Sequence, residues 1–151
     1  MLRERLTETL KSAMKAKDSR RSATVRLILA ALKDREIAAR GRGHSEGLAE
    51  DEILTMMQTM IRQRRESIEM YKKGQRDDLV KQEKGEIRVI EEFLPRQMSE
   101  DEVLAASQEV IAELDAHSIK DMGQVMSEMK SRYAGRMDFG KVSKVVKGLL
   151  I

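Results

Sequence analysis

A chain of 151 residues with one proline, nine glycines, 3% aromatic and 36% charged residues draws its apolar mass from Leu, Ile, Val, Ala and eleven methionines, which favours helix packing over sheets. The net charge of +3 divides unevenly, with 21 Lys/Arg against 17 Asp/Glu in residues 1–94 and 8 against 9 in residues 95–151, a balance that permits phosphate binding without demanding it. Zero cysteines exclude disulfides, thiolate zinc sites and cysteine nucleophiles, and charges run through MLRERLTETL where a secretory leader would be apolar, so a cytoplasmic protein without membrane spans is expected.

The first predicted helix places Leu2, Leu6, Leu10 and Met14 four residues apart, an apolar stripe among Arg, Glu and Lys. Lys17-Asp18-Ser19 interrupts it, with Asp18 or Ser19 capping a second helix in which Val25, Ile28, Leu29, Leu32 and Ile37 recur at helical spacing to about Arg40. The stretch from Gly41 to Gly47 holds three glycines and no apolar side chain and reads as a mobile loop. It lacks the GK[ST] ending and the preceding strand of a phosphate loop.

A third helix is expected from Ala49-Glu50 on the seam Ile53, Met57, Ile61, Ile68 and Tyr71, with Gly74 supplying a left-handed stop. The fourth begins near Asp77 and runs to Pro95 on Val80, Ile87, Ile90 and Leu94. Each seam passes through a charge, Arg64 in one and Glu83 in the other. An antiparallel hairpin about Gly74 sets Arg64 near Glu83 or Glu86, so a structural ion pair, buried or half buried, is expected there.

Phe93-Leu94-Pro95 ends the fourth helix, because the residue before proline is pushed out of the α region, and Ser99 to Glu102 spells a capping box for the next. Val103, Leu104, Val110, Ile111 and Leu114 make a fifth helix, Met122, Val125, Met126, Met129 and Tyr133 a sixth, and Val142, Val145, Val146, Leu149 and Leu150 a seventh. The expected architecture is all-α: a four-helix N-terminal part, residues 1–94, and a small three-helix C-terminal domain, residues 95–151, joined at a proline turn.

His44 and His117 stand far apart without an HExxH, and no GxSxG or SxxK is present, so no catalytic residue, metal or cofactor is expected. Met122, Met126 and Met129 read as core before they read as an adaptable groove. The binding candidates are basic. Arg62 and Arg65, with Lys72, Lys73 and Arg76, lie away from the seam of the third helix as a possible phosphate track. Lys120, Lys130, Arg132, Arg136, Lys141 and Lys144 surround the Asp121-Met122-Gly123 turn and the Gly135 to Asp138 connection, where amides at helix starts can also hold phosphate. Glu and Asp interleave both clusters, so a solvated face is the competing reading. With aromatics nearly absent, recognition of folded RNA by backbone and shape is expected over base reading.

Gln63-Arg64-Arg65-Glu66-Ser67, Tyr71, Gly74-Gln75-Arg76, Glu83, Glu86, Glu92-Phe93-Leu94-Pro95 with Gln97, and Asp121-Met122-Gly123 followed by Val125-Met126 occur in order along essentially the whole chain. On these residues the chain resembles the GatB/YqeY family. The resemblance implies a free-standing relative of the helical tail domain of the B subunit of the glutamine-dependent aspartyl/glutamyl-tRNA amidotransferase, the tail that holds tRNA. It implies a two-part helical fold, tRNA as partner, and Lys120, Gly123, Lys130, Arg136 and Lys141 at the tail positions where RNA contact is expected. It also implies, by similarity, a carbon–nitrogen ligase activity with glutamine as amido donor. In the amidotransferase that chemistry resides in the cradle domain and the amidase subunit, so no activity of the chain alone is expected. The reading is therefore a tRNA-binding accessory module. The alternative is a protein-interaction module that docks on an amidotransferase or an aminoacyl-tRNA synthetase without direct RNA binding.

Overall fold

A computed structural model describes residues 1–151, which form helices and turns and no strand. In chain order these are α1 (Leu2–Lys15), α2 (Ser19–Gly41), α3 (Glu50–Lys73), α4 (Asp77–Glu91), α5 (Glu100–Glu113), a short 3-10 turn (Ile119–Asp121), α6 (Met122–Arg132) and α7 (Phe139–Leu150). The chain forms two units, Met1–Leu94 and Pro95–Ile151, dividing at the proline turn.

In the first unit α1 packs on α2, α2 on α4, and α3 on α4. Leu2, Leu6, Val25, Ile28, Leu32, Ile53, Met57, Ile61, Ile87, Ile90 and Phe93 are buried in its core. Two residues of the expected stripes face water: Met14 is 52% exposed and Ile37 is 55% exposed. A strict four-residue step outruns the helix, so Met14 lies about 120° round from Leu2, and Ala13 is buried in its place. Ile37 follows Leu32 by five residues, about 140° round, which carries it off the core face of α2.

In the second unit α5, α6 and α7 pack on one another around Val110, Val125, Met129, Met137, Val142, Val146 and Leu150. Met129 is fully buried and Met122 and Met126 pack against this core. On α5 the buried positions are Ala106, Ser107 and Val110, while Leu104, and Leu114 just past its end, are exposed. Ser107 is accommodated by donating its hydroxyl to the Val103 carbonyl at 2.8 Å.

The caps set the helix boundaries. Asp18 accepts from the Arg21 amide at 3.1 Å at the start of α2, and Ser99 and Glu102 close a reciprocal capping box at the start of α5, both bonds at 3.2 Å. At the C-terminal end of α3 the left-handed residue is Gln75 (φ 56°), one position later than the expected Gly74. There the Gln75 amide donates to the Lys72 carbonyl and the Arg76 amide to that of Tyr71, a Schellman closure that fixes which residue turns left-handed. Lys17 and Asp115 close α1 and α5 in the same way.

The glycine-rich segment after α2 is held at both ends, against the expectation of a mobile loop. Gly43 (φ 90°) closes α2, with its amide on the Arg40 carbonyl and the His44 amide on that of Ala39. At the far end Glu36 ion-pairs with Arg3 and accepts from the Leu48 amide at 3.0 Å, and Arg3 donates to the Leu48 carbonyl at 2.9 Å. Arg3 beside it, and the Leu48 amide after it, hold the Glu36 carboxyl below the usual carboxylate range. Gly47 (φ 83°) passes so close to this pair that a side chain there would strike Glu36.

Candidate nucleic-acid interface and the Arg64 cluster

Arg64 on α3 and Glu86 on α4 meet with Nε 2.9 Å from Oε2, each side chain 14% exposed. Arg64 Nη1 also donates to the Met60 carbonyl at 3.2 Å, one turn back on its own helix. Glu83 lies one turn before Glu86 on the same face of α4 and is half-buried. Burial lifts its carboxyl above the ordinary value, the neighbouring Glu86 charge adds to the lift, and Arg64 opposes it. Between them Gly85 leaves room for Arg20, whose guanidinium and Cδ would lie within 3 Å of a Cβ at that position. The cluster joins α2, α3 and α4. A guanidinium stays protonated, so its chemistry is that of a fixed charge and not of a proton shuttle.

The second feature belongs to the C-terminal unit and is built by Gln97. Its Nε2 donates to the Pro95 carbonyl at 2.8 Å and to the Gly135 carbonyl at 2.6 Å. The Met98 amide donates to the Arg136 carbonyl at 2.9 Å, and Arg136 Nε returns a bond to the Arg96 carbonyl at 3.1 Å. Gly135 supplies the left-handed backbone (φ 75°) that this close approach requires. The segment after Pro95 is thereby stapled to the α6–α7 connection.

These bonds re-sort the basic candidates. Arg136 is half-buried and serves the staple. Arg132 ion-pairs with Glu113, and its Nε lies 2.7 Å from Glu128 Oε1. The two carboxylates raise its already high pKa, and they leave little charge for an external phosphate. Asp121-Met122-Gly123 is not a turn: the 3-10 residues run directly into α6, and Asp121 Oδ2 accepts from the His117 amide at 2.9 Å and from that of Ser118 at 3.2 Å. Those two amides hold the Asp121 carboxyl low. Gly123 is exposed at the start of α6 with open space about it. Lys120 and Lys130 are exposed on the 3-10 turn and on α6.

Lys141, Lys144 and Gly148 share one face of α7, with Lys147 at its edge, and all four are exposed. Helix α7 carries no acidic residue. Sequence reasoning passed over Lys147, although the three-residue lysine spacing that reveals it was legible. In the N-terminal unit Arg65 lies 3.8 Å from Glu91, Lys72 lies 3.7 Å from Glu69 and Arg76 is held bidentately by Asp78, while Arg62 is half-buried and engaged. That face of α3 is a mixed surface more than a cationic track.

A recess of about 290 Å³ in the C-terminal unit is lined by Ile111, Ala112, Ala116 and Leu149 beside Asp115 and His117, whose Nε2 and Oδ1 lie 3.0 Å apart in solvent. No group of three or more His, Asp or Glu side chains is placed to hold a metal ion, and no helix is long and apolar enough to cross a membrane.

Against known proteins, the family model of the Yqey-like protein matches residues 3–150. Among curated proteins the chain is similar to "Altered inheritance of mitochondria protein 41, mitochondrial" of Lachancea thermotolerans, 39% identical over 89 residues, 59% of this chain and 46% of the relative. The Saccharomyces cerevisiae protein of the same name is 38% identical over 85 residues, 56% of this chain and 44% of the relative. That of Eremothecium gossypii is 33% identical over 117 residues, 76% and 59% respectively. The chain thus spans about half the length of the curated relatives it matches. Their mitochondrial names overturn the cytoplasmic expectation. The reason is physical: a cysteine-free composition reports a reducing environment at most, and several compartments provide one.

Proposed function

The chain belongs to the Yqey-like family, and from that membership and the charge layout of its C-terminal unit we propose that it is a tRNA-binding accessory module, without a catalytic step of its own. The observation that carries the reading is the exposed face of α7. Lys141, Lys144 and Lys147 stand there without a carboxylate partner, and Gly148 between them admits a close backbone approach. The nearby acids are engaged elsewhere, Glu128 with Arg132, Asp121 with two amides, and Asp138 as the cap that accepts from the Gly140 amide. A row of unpaired lysines contacts phosphates as point charges and recognises an RNA fold more than its bases. The resemblance to the tail that holds tRNA supports the same choice of polyanion, whereas the relatives' names speak of mitochondrial inheritance and not of RNA.

The test is binding of the purified chain to total tRNA and to a duplex RNA of similar size across a salt series. Tighter binding to tRNA is expected, and Lys141→Ala, Lys144→Ala and Lys147→Ala should each lower the slope of log affinity against log salt by about one. Arg132→Ala should leave that slope nearly unchanged. Equal slopes for the wild-type chain and the triple variant would remove α7 from the interface, and no binding at low salt would end the RNA reading.

A further inference from the structure

We infer that α2 of one molecule docks, through its solvent face, on α5 of a second copy of the chain. The solvent face of α2 carries Ala23, Leu27, Ala30, Asp34, Ile37 and Gly41, spaced alternately by four and three residues, and all six are exposed. This is the seam spacing of a two-helix contact. It is set by side chains a helix does not usually leave in water, since Leu27 is 46% exposed and Ile37 55%. Along one edge run Arg26, Lys33 and Arg40, seven residues apart. None of the three ion-pairs with a carboxylate, and Arg26 touches only the Met14 sulfur at 3.6 Å. Of the other charged residues of α2, Glu36 is engaged with Arg3 and Arg21 with Glu92, while Asp34 lies exposed within the seam itself.

Three occupants present themselves, and charge selects among them. A second α2 laid antiparallel would bring the basic edges together, which is repulsive. A phosphate backbone would satisfy the edge but would gain nothing from Leu27 and Ile37 at the centre. A helix with a small-residue seam and an acidic edge satisfies both parts. Helix α5 supplies the acidic edge, with five acidic residues and no basic one, and its exposed seam sets the small Ala105 and Ala112 among Asp101 and Gln108, beside Leu104, which is 40% exposed. Glu102 and Glu109 run along its edge seven residues apart, on the side that faces the basic edge of a helix lying parallel to it. In that register Lys33 meets Glu109, and Arg26 meets Glu102, whose Oε1 also takes the Ser99 amide in the cap of α5. This contact uses none of the residues assigned to RNA, so it stands or falls apart from that reading.

Sedimentation velocity of the full chain over a concentration series tests it. The wild-type chain should pass from monomer to a larger species, with association weakening as salt rises. Lys33→Glu and Glu109→Lys should each weaken self-association at least about tenfold while leaving the circular dichroism spectrum unchanged. An equimolar mixture of the two variants should recover it, because the exchanged charges match again. A chain that stays monomeric throughout, variants that associate like the wild type, or a mixture that fails to recover would overturn the inference. So would loss of tRNA binding by Lys33→Glu with self-association intact, which would make this face a phosphate track.

Discussion

Arg64 sits between Ile61 and Ile68 on a face that is otherwise apolar, and its position shows what a single residue reveals before a fold is known. Its helical spacing put a guanidinium on a packed seam, where it needs a carboxylate. Which of Glu83 and Glu86 answers could not be read, because both lie on one face of α4 and the choice depends on how α3 is rotated against α4 and on the Met60 carbonyl that orients the guanidinium. Arg64→Ala should destabilise the chain by about 3 kcal/mol in urea denaturation, because Glu86 is left largely buried without a partner. A loss under about 0.5 kcal/mol, the level of an ordinary surface site, would show the pair to be incidental. Glu83 supplies the pH dependence. Its carboxyl has a higher pKa folded than unfolded, so the folded state is favoured while the group is protonated, and this contribution fades as pH rises through the folded value. Glu83→Gln should therefore raise the melting temperature at neutral pH, with the gain shrinking as pH falls through the raised folded value and gone below the ordinary 4.5. A gain that persists in acid would point to packing instead of charge.

At the scale of elements, every helix announced itself through apolar spacing, and the caps at Asp18 and Ser99 were legible because a short polar side chain before an apolar run does only a few things. Helix ends were less legible. A left-handed residue is chosen by which carbonyls remain open, so Gln75 takes that conformation although glycine stands beside it. The Gln97 staple was invisible to spacing, since it joins segments 38 residues apart. Gln97→Ala should remove two bonds to carbonyls and lower the stability of the C-terminal unit by about 1–2 kcal/mol. It should also speed hydrogen exchange at the Met98 amide, which donates to Arg136 in the same staple. Unchanged exchange at Met98 would show the segment to be held by other contacts.

At the scale of the molecule, the two units each have a core of their own. A fragment of residues 1–94 should keep the circular dichroism of a helical protein and melt cooperatively, because its buried seams all pair within it. The smaller C-terminal unit buries a smaller share of its surface and should unfold more readily when isolated. A non-cooperative melt of the fragment would mean that the first core depends on the second unit. The compartment was misread at this same scale, because address is not written into helix periodicity or cysteine count, and only the mitochondrial names of the relatives bore on it.

The sequence by itself determined that the chain is helical, where the helices lie, that the Pro95 turn interrupts them, and that Arg64 faces α4, since each follows from residue type at short range and a period of 3.6. Only the tertiary structure decided which charges are free. Arg132 and Arg136 look like Lys141 and Lys144 along the chain, yet the first two are held by Glu113, Glu128 and the Arg96 carbonyl, while the lysines of α7 face water. The same holds for Ile37 and Leu27, apolar residues whose place on the solvent side of α2 depends on where α1 and α4 pack. A side chain's partners come from distant parts of the chain, and spacing along one helix carries no record of them.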